Sequence, residues 1–479
     1  MLYLIALLEW FTTLAVQMIA LRLATPIVGS SIILTSVFIG IILLALSAWY
    51  YAWGIVASKY KPAKLRKLLA WFLLFSGVYY GCITFVTQEY LLERGLSMTS
   101  NYIFTLFFAA LLLFFLPVFI DAQTIPLLTE LLPEESKGKA AWSMLFASTI
   151  WSFLGSVGTS IWLFETIGVR STWIVTCVIL FICAAMLLRK AHRQRAWWIL
   201  VWSVLFAGYM RSVQQHAFDR VSGILYHHDS AYQEILIREL TRKTGEQARI
   251  FHTNRSFASG ILEWDKDSPF DYLKEVMILT DRLKPKRILV IGTAWFTYPY
   301  QLSKLDYVQQ IDAVDIDPSI KKIAEDHFLE EKLSDKIVFI PQSARYVINQ
   351  AVKNWTKYDL ILIDAYNGKT LPDELATTEF FAWLQQLTTP QGIIANFILD
   401  TNLDSNLARN VLTTRRDVFG DVWTKNVSNN PQKTFDNFIV TATQPTPDYT
   451  NFTPIWQLYT DDLRTTETDL AMMWRGEDK

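Results

Sequence analysis

Three short apolar runs decide the fold of the C-terminal half of this 479-residue chain: RILVIG at residues 287–292, QIDAVDID at 310–317 and YDLILIDAY at 358–366. Between them lie stretches with helical spacing of apolar residues, such as PSIKKIAEDHFLEEK. Buried strands that alternate with amphipathic helices are typical of a doubly wound, mostly parallel sheet. Ligands of such sheets bind beyond the carboxyl ends of the strands, so the residues that end these runs are candidates for a site.

Further short runs extend this sheet on both sides of the chain. KIVFI (336–340), GIIANFIL (392–399) and NFIVTAT (437–443) have the length and apolar content of strands. Before residue 287, the segments SAYQEILIREL, ARIFHTN and SGILEW predict a small β region. The sequence therefore predicts an α/β domain over residues 225–479 that begins with a small N-terminal β region.

The first 212 residues have a different pattern. Seven apolar runs are of roughly membrane-spanning length; they cover residues 2–21, 32–57, 68–87, 102–120, 141–164, 171–188 and 196–210. We expect an α-helical membrane bundle of about seven transmembrane helices over residues 1–212, with six as the alternative. A hydrophobic fraction of 52% and a mean hydropathy of +0.22 fit a membrane half joined to a soluble half.

The charges of the loops predict an orientation. Eleven Lys and Arg residues lie in the loops at 58–67, 127–140 and 189–195, whereas the alternate loops carry three. The positive-inside rule places the richer set in the cytoplasm. With an odd number of helices, the C-terminal domain then lies on the other side. We expect a multi-pass protein of the inner (cytoplasmic) membrane with a periplasmic or otherwise extracytoplasmic domain.

Composition excludes several function classes. A net charge of −1 argues against a nucleic-acid partner. The three cysteines, Cys82, Cys177 and Cys183, all precede the soluble half, and no HExxH pair occurs. The sequence therefore predicts no metal site and no cysteine nucleophile in the C-terminal domain.

A strip of small residues lies on the predicted fifth helix. Ser148, Ser152, Ser156 and Ser160 recur every four residues, with Gly155 and Gly158 beside them. Small residues on one face let helix backbones approach closely in lipid. The strip predicts either packing within the bundle or a groove for a partner protein, in which Ser152 and Ser156 would be the contacts.

The soluble half resembles the aminopropyltransferases, or spermidine synthases, whose core is a class I methyltransferase fold. SAYQEILI (230–237) is similar to the family's Tyr-Gln segment, VDIDP (314–318) to its acidic-x-Asp-Pro motif and ILIDAY (361–366) to its fourth-strand motif. The first half resembles the membrane-fused branch of that family through PVFIDAQTIPLL (117–128) and ASTIWSFLGSVGTSIWLFETIGV (147–169).

The resemblance implies a chemistry and a set of site residues. The implied cofactor-binding residues are Tyr232, Gln233, Gly292 and Asp315, and the implied catalytic carboxylate is Asp364. Such a carboxylate takes a proton from a polyamine, whose nitrogen attacks the methylene beside a sulfonium. The implied cofactor is decarboxylated S-adenosylmethionine, or S-adenosylmethionine for a methyltransferase.

The chain departs from the family pattern at three places. The glycine-rich first loop is replaced by GTAWFTYPY (292–300), Gln342-Ser343 stands where the family has Gly-Asp, and Asn367 replaces the second acid. These departures predict a pseudoenzyme that binds no cofactor and acts as a chaperone or adaptor for another membrane protein. The resemblance suggests a rhombosortase-type intramembrane protease as that partner. The alternative is an active membrane-bound aminopropyltransferase or methyltransferase, and a regulated transporter ranks third.

Overall fold

The chain forms two compact units: residues 1–222 with 229–231, and residues 223–228 with 232–479. The structure is a computed structural model. It describes residues 2–28, 32–57, 59–86, 137–189, 192–219, 223–230, 232–242, 245–254, 256–268, 270–366, 371–400, 406–427, 437–446, 448–453 and 458–459, with isolated positions between 107 and 131.

Long helices make up the described part of the first unit. They are α1 (Leu2–Val28), α2 (Ile32–Ala57), α3 (Pro62–Val86), α4 (Lys137–Gly158), α5 (Phe164–Leu188) and α6 (Arg193–Asp219). A π-helical turn, Thr159–Leu163, joins α4 to α5, and Gly168, with a φ of 77°, kinks α5 near its start. Six of the seven predicted runs thus fall on helices, and the run at 102–120 lies largely outside the described residues.

The count of membrane-spanning helices differs from the prediction. Within the described residues, two stretches are long and apolar enough to cross a bilayer, Leu2–Arg22 and Trp142–Leu188. The predicted bundle of seven spanning helices is not supported by that count. The other described helices fall short because they carry charged ends, as in α3 and α6, or because part of their length is undescribed.

The small-residue strip contacts α1 in part. An ideal Cβ on Gly155 would lie 2.4 Å from the carbonyl oxygen of Phe11, so the backbones of α1 and α4 approach closely there. On the same helix Ser148 is buried, and Ser152 and Ser156 are half-buried. Close helix packing within the unit, one of the two predicted roles of the strip, accounts for the glycine.

The second unit begins with an antiparallel sheet of four strands in the order β1-β2-β3-β4. They are β1 (Ile224–Asp229), β2 (Glu234–Thr241), β3 (Gln247–Thr253) and β4 (Ser256–Leu262). The last three correspond to the predicted β pieces. β1 was not predicted, because its sequence ILYHHD is too polar to stand out as a strand.

An eight-stranded sheet follows, in the order β12-β10-β11-β9-β8-β5-β6-β7. Its strands are β5 (Arg287–Ile291), β6 (Gln310–Asp315), β7 (Ile337–Pro341), β8 (Tyr358–Ile363), β9 (Thr388–Asp400), β10 (Trp423–Asn426), β11 (Asn437–Ala442) and β12 (Thr450–Asn451). Strands β5 to β9 are parallel, whereas β10, β11 and β12 pair antiparallel. The predicted α/β fold is therefore confirmed.

Helices connect these strands. They are α7 (Asp271–Leu283), α8 (Thr297–Ser303), α9 (Ile320–Ile323), α10 (Ala344–Lys353), α11 (Thr378–Leu387) and α12 (Asn406–Phe419). Both faces of β5 are covered: Ile288 and Val290 join the core on the α7 side, whereas Leu289 and Ile291 join the core on the α11 and α12 side. A central parallel strand buried on both faces needs a continuous apolar run, which explains why these strands were predictable.

Candidate functional site

The candidate site lies at the carboxyl ends of β5, β6 and β8, where the strand order changes direction. From β5 the chain continues to β6 and β7 on one side, and then returns to β8 and β9 on the other. Such a switch point is where open α/β sheets bind ligands. Gly292, Asp315 and Asp364 end these three strands or follow them, so the structure brings these three predicted residues to one edge of the sheet.

Gly292 is held where two strand ends nearly touch. Its amide donates to the carbonyl oxygen of Val314 at 2.9 Å, and the amide of Asp364 donates to that of Ile291 at 2.8 Å. The φ of Gly292 is 77°, and an ideal Cβ there would lie 2.2 Å from the carbonyl oxygen of Asp364. Only glycine fits this position, for a structural reason that holds with or without a ligand.

The carboxylate of Asp315 is held by its own loop. Its Oδ2 accepts hydrogen bonds from the amide and the hydroxyl of Thr293, both at 3.2 Å, and its Oδ1 accepts from the amide of Asp317 at 3.2 Å. Burial raises the pKa of Asp315 to about 6, although these donors oppose the shift. A ligand hydroxyl that approached Oδ2 of Asp315 would compete with Thr293 for that oxygen.

Asp364 lies at the end of β8 beside two buried tyrosines. Burial raises its pKa to about 7, so the carboxyl group exchanges its proton near neutral pH. The pKa values of Tyr272 and Tyr298 are raised, first by burial and then by the charge of Asp364. Among the described residues, the buried hydroxyl of Tyr298 has no hydrogen-bond partner. The group has the ionisation range of a general base at neutral pH.

The loop after β5 turns its rings into the core. Trp295 and Phe296 have positive φ values of 56° and 64°. The indole of Trp295 is 6% exposed and stacks on Phe251 of β3, with ring centroids 3.6 Å apart. Phe296 is fully buried and packs edge-on against Phe339 at 5.4 Å. The first residues of the loop therefore belong to the hydrophobic core between the small sheet and β5.

A second cluster of aromatic rings lies beside Asp364. The ring of Tyr298 stacks on Phe397 of β9 at 5.8 Å, and Tyr272 of α7 packs edge-on against both rings, at 6.2 Å from Tyr298 and 5.4 Å from Phe397. The sequence analysis did not identify Phe397, because a phenylalanine inside an apolar strand carries no signal beyond burial.

The remaining predicted residues have different places. The amide of the Gln233 side chain donates to Oδ2 of Asp317 at 3.2 Å, so this residue does reach the loop after β6. Tyr232 is 40% exposed. Gln342 and Ser343 are exposed after β7. Asn367 lies outside the described residues.

One partly buried ion pair was not predicted. The ammonium of Lys425 on β10 lies 2.8 Å from Oε2 of Glu275 on α7, whose side chain is 8% exposed. The two residues are 150 positions apart. No local pattern joins them, and only knowledge of the strand order could have suggested the pair.

Comparisons with known proteins identify a family for the C-terminal part of the chain. The model of the Spermine/spermidine synthase domain matches residues 272–450. A polyamine aminopropyltransferase of Vibrio vulnificus (strain CMCP6) is 30% identical over 211 residues, which are 42% of this chain and 67% of that protein. A probable polyamine aminopropyl transferase of Bifidobacterium longum (strain NCC 2705) is 25% identical over 205 residues; the match covers 42% of this chain and 43% of that relative.

Solved structures also align with the C-terminal part. The spermidine synthase from Thermotoga maritima aligns with a TM-score of 0.37 and 17% identity, over 47% of this chain and 74% of its own. Human methyltransferase-like protein 13 aligns with a TM-score of 0.32 and 22% identity, over 43% of this chain and 93% of its own.

Proposed function

This chain belongs to the spermine/spermidine synthase family, and from that premise we propose that it is a membrane-anchored member that no longer binds an adenosyl-sulfonium cofactor and works by binding another membrane protein. The observation that carries the proposal is the stacking of Trp295 on Phe251 at the carboxyl end of β5. Cofactor loops at this position use small residues because the backbone must approach the ligand. Here the loop supplies rings to the core instead.

The energetic cost of moving this indole supports the loss of cofactor binding. Burial of a large side chain contributes about 1.5–3 kcal/mol, and an aromatic pair adds ~0.5–1.5 kcal/mol. A micromolar ligand gains about 8 kcal/mol in total. A cofactor that first had to expel Trp295 would lose a quarter to a half of that free energy. Its dissociation constant would then rise toward the millimolar range.

The hydrogen bonds of Asp315 support the same proposal. The resemblance implies that this carboxylate binds the ribose hydroxyls of a cofactor, yet its Oδ2 already accepts two hydrogen bonds from Thr293. Replacing satisfied internal hydrogen bonds by ligand hydrogen bonds yields little net free energy. Asp315 is thus present in the sequence, but hydrogen bonds from a cofactor to its carboxylate would add little binding free energy.

Membrane anchoring rests on the first unit. Large apolar side chains are exposed along its helices, among them Trp142 at 74%, Val204 at 71% and Trp202 at 67%. Apolar exposure on this scale is unusual for a water-soluble surface. Together with the loop charges, it supports a multi-pass protein whose C-terminal domain lies outside the cytoplasm. A reporter fused after residue 479 that is active only in the cytoplasm would contradict this orientation.

The partner in this proposal is another integral membrane protein. The resemblance to the membrane-fused branch points to a rhombosortase-type intramembrane protease. Ser152 and Ser156 on α4, which are half-buried, remain the proposed contacts, whereas Gly155 beside them packs against α1. A Ser152→Leu/Ser156→Leu variant should keep its abundance and lose the protease on co-purification. Retention of the protease would move the interface away from α4.

One observation favours a second candidate, an active aminopropyltransferase. A carboxyl group with a pKa of about 7 is well matched to general-base catalysis at neutral pH, and Asp364 is such a group. It would take the proton of an amine as the new C–N bond forms and the C–S bond of the sulfonium breaks. The matched relatives are named polyamine aminopropyltransferases.

An assay of product formation separates the two candidates. Purified full chain is incubated with decarboxylated S-adenosylmethionine and a diamine, and release of the thioether product is measured. We expect no release above that of an Asp364→Asn variant. Turnover that Asp364→Asn abolishes would establish the second candidate and remove the first.

A further inference from the structure

Helices α3 and α5 of the first unit run antiparallel. The indole Nε1 of Trp173 on α5 donates to the carbonyl oxygen of Tyr80 on α3 at 3.1 Å. Further along α5, the ring of Phe181 lies 2.6 Å from the ideal Cβ position of Gly77. Residues further along α5 therefore contact residues earlier on α3. The start of α3 therefore lies at the same end of the unit as the end of α5.

Helix α6 begins at that same end. It follows α5 after a short connection, and its Phe206 packs edge-on against Phe181 at 5.3 Å, so it runs antiparallel to α5 and parallel to α3. Phe206 also lies 2.2 Å from the ideal Cβ position of Gly81 on α3. Both helices rise about 1.5 Å per residue. Arg193 lies about thirteen residues before Phe206 on α6, and residue 68 lies about thirteen residues before Gly81 on α3. Arg193 and residue 68 are therefore level with each other, ~20 Å from the Phe206–Gly81 contact.

This level is strongly basic. Residues 58–67 contain five Lys and Arg residues, residues 189–195 contain four, and neither segment contains an acid. The side chains of Lys64, Lys67, Arg193 and Arg195 are exposed. Within the described part of the chain, no carboxylate forms an ion pair with these four side chains. Among the described residues, the positive charge of these four side chains is therefore not neutralised by an ion pair.

A layer of exposed indoles lies about one turn further along the helices. Trp71 on α3 is 65% exposed, and Trp197 and Trp198 on α6 are 59% and 57% exposed. By the same helical rise, these three side chains are level with one another. Tryptophan prefers the interface between lipid headgroups and acyl chains, where its ring is apolar and its N–H reaches water.

We propose that this end of the first unit is a binding surface for anionic phospholipids. The basic side chains of Lys64, Lys67, Arg193 and Arg195 contact the headgroup phosphates, and the indoles of Trp71, Trp197 and Trp198 lie just beneath them. The order of the layers, cations outside and tryptophans inside, matches the order of groups across a leaflet. This inference rests on membrane anchoring and is independent of the cofactor site.

The test compares two lipids and two charge-matched variants. Purified full chain in mixed micelles is titrated with phosphatidylglycerol or phosphatidylcholine, and bound lipid is counted by native mass spectrometry. We expect tighter binding of phosphatidylglycerol. Arg193→Gln/Arg195→Gln should weaken it about 30-fold, at about fivefold for each basic residue near an anionic surface. The control Arg211→Gln/Lys322→Gln removes two exposed charges elsewhere and should change little.

Two results would overturn the inference: equal affinity for both lipids, or equal effects of the two variant pairs. Inorganic phosphate alone is a further comparison. If it binds this surface as well as phosphatidylglycerol does at the same concentration, the result counts against a lipid as the ligand. A chain that alkaline carbonate releases from membranes would contradict membrane anchoring itself. A chain that stays in the membrane yet shows no lipid preference would remove this inference alone.

Discussion

The indole of Trp295 lies parallel to the ring of Phe251, with centroids 3.6 Å apart and planes 17° apart. This pair joins the loop after β5 to the small antiparallel sheet, so the loop holds two parts of the core together. Trp295 has a φ of 56°, a conformation that non-glycine residues adopt only when their surroundings favour it strongly.

Trp295→Ala should therefore destabilise the C-terminal domain by about 3–5 kcal/mol, the usual cost of removing a buried aromatic side chain. Chemical denaturation of the full chain, followed by near-UV circular dichroism, measures the change. Trp264→Ala is the matched control, since Trp264 is 73% exposed and should change stability by about 0.5 kcal/mol or less. Similar effects of the two substitutions would contradict a structural role of the loop.

Gly292→Ala should cost about 3 kcal/mol or more, because it combines a positive φ with a backbone clash. Gly245→Ala provides the comparison: Gly245 also has a positive φ, 85°, but nothing lies within 4 Å of its Cβ position. That variant should lose only about 1 kcal/mol. The difference between the two denaturation midpoints isolates the close approach of β5 and β8.

Thr293→Val should lower stability by about 1–3 kcal/mol, because the half-buried carboxylate of Asp315 loses a donor. The loss should also raise the pKa of Asp315 further, since that hydrogen bond favours the charged form. Thr293→Ser keeps the hydroxyl and should resemble the native chain in both measurements. If Val and Ser behave alike, the hydroxyl does not hold Asp315.

Asp364 should make the domain less stable as the pH rises. Its pKa is about 7 in the folded chain and 3.8 in the reference state, so the folded state holds the proton more tightly. The resulting stabilisation is complete below pH ~4 and is lost as the pH rises through 7, by ~2–4 kcal/mol. Denaturation midpoints between pH 4.5 and 8 should fall in the native chain. They should fall far less in Asp364→Asn, whereas Asp306→Asn, at an exposed position, should follow the native chain.

The large sheet was predictable because β5, β6 and β8 are buried on both faces and so carry unbroken apolar runs. β1 and β10 were not, since ILYHHD and WTKN are too polar or too short to stand out. The prediction that Gly292, Asp315 and Asp364 lie at one edge of the sheet followed from the parallel topology. The direction in which Trp295 points depends on Phe251, 44 residues away on another sheet, which no local pattern encodes.

The expectation of seven spanning helices shows a different limit. Apolar length in the sequence located six described helices, yet charged helix ends and undescribed positions leave two stretches that meet the criteria for a span. Run length alone therefore locates helices better than it counts membrane crossings.

Calorimetric titration of the purified full chain with decarboxylated S-adenosylmethionine, and with S-adenosylmethionine, tests the central claim most directly. The account predicts binding no tighter than a dissociation constant near the millimolar range, which corresponds to a free energy of binding of only ~4 kcal/mol. A micromolar dissociation constant for either compound would contradict it.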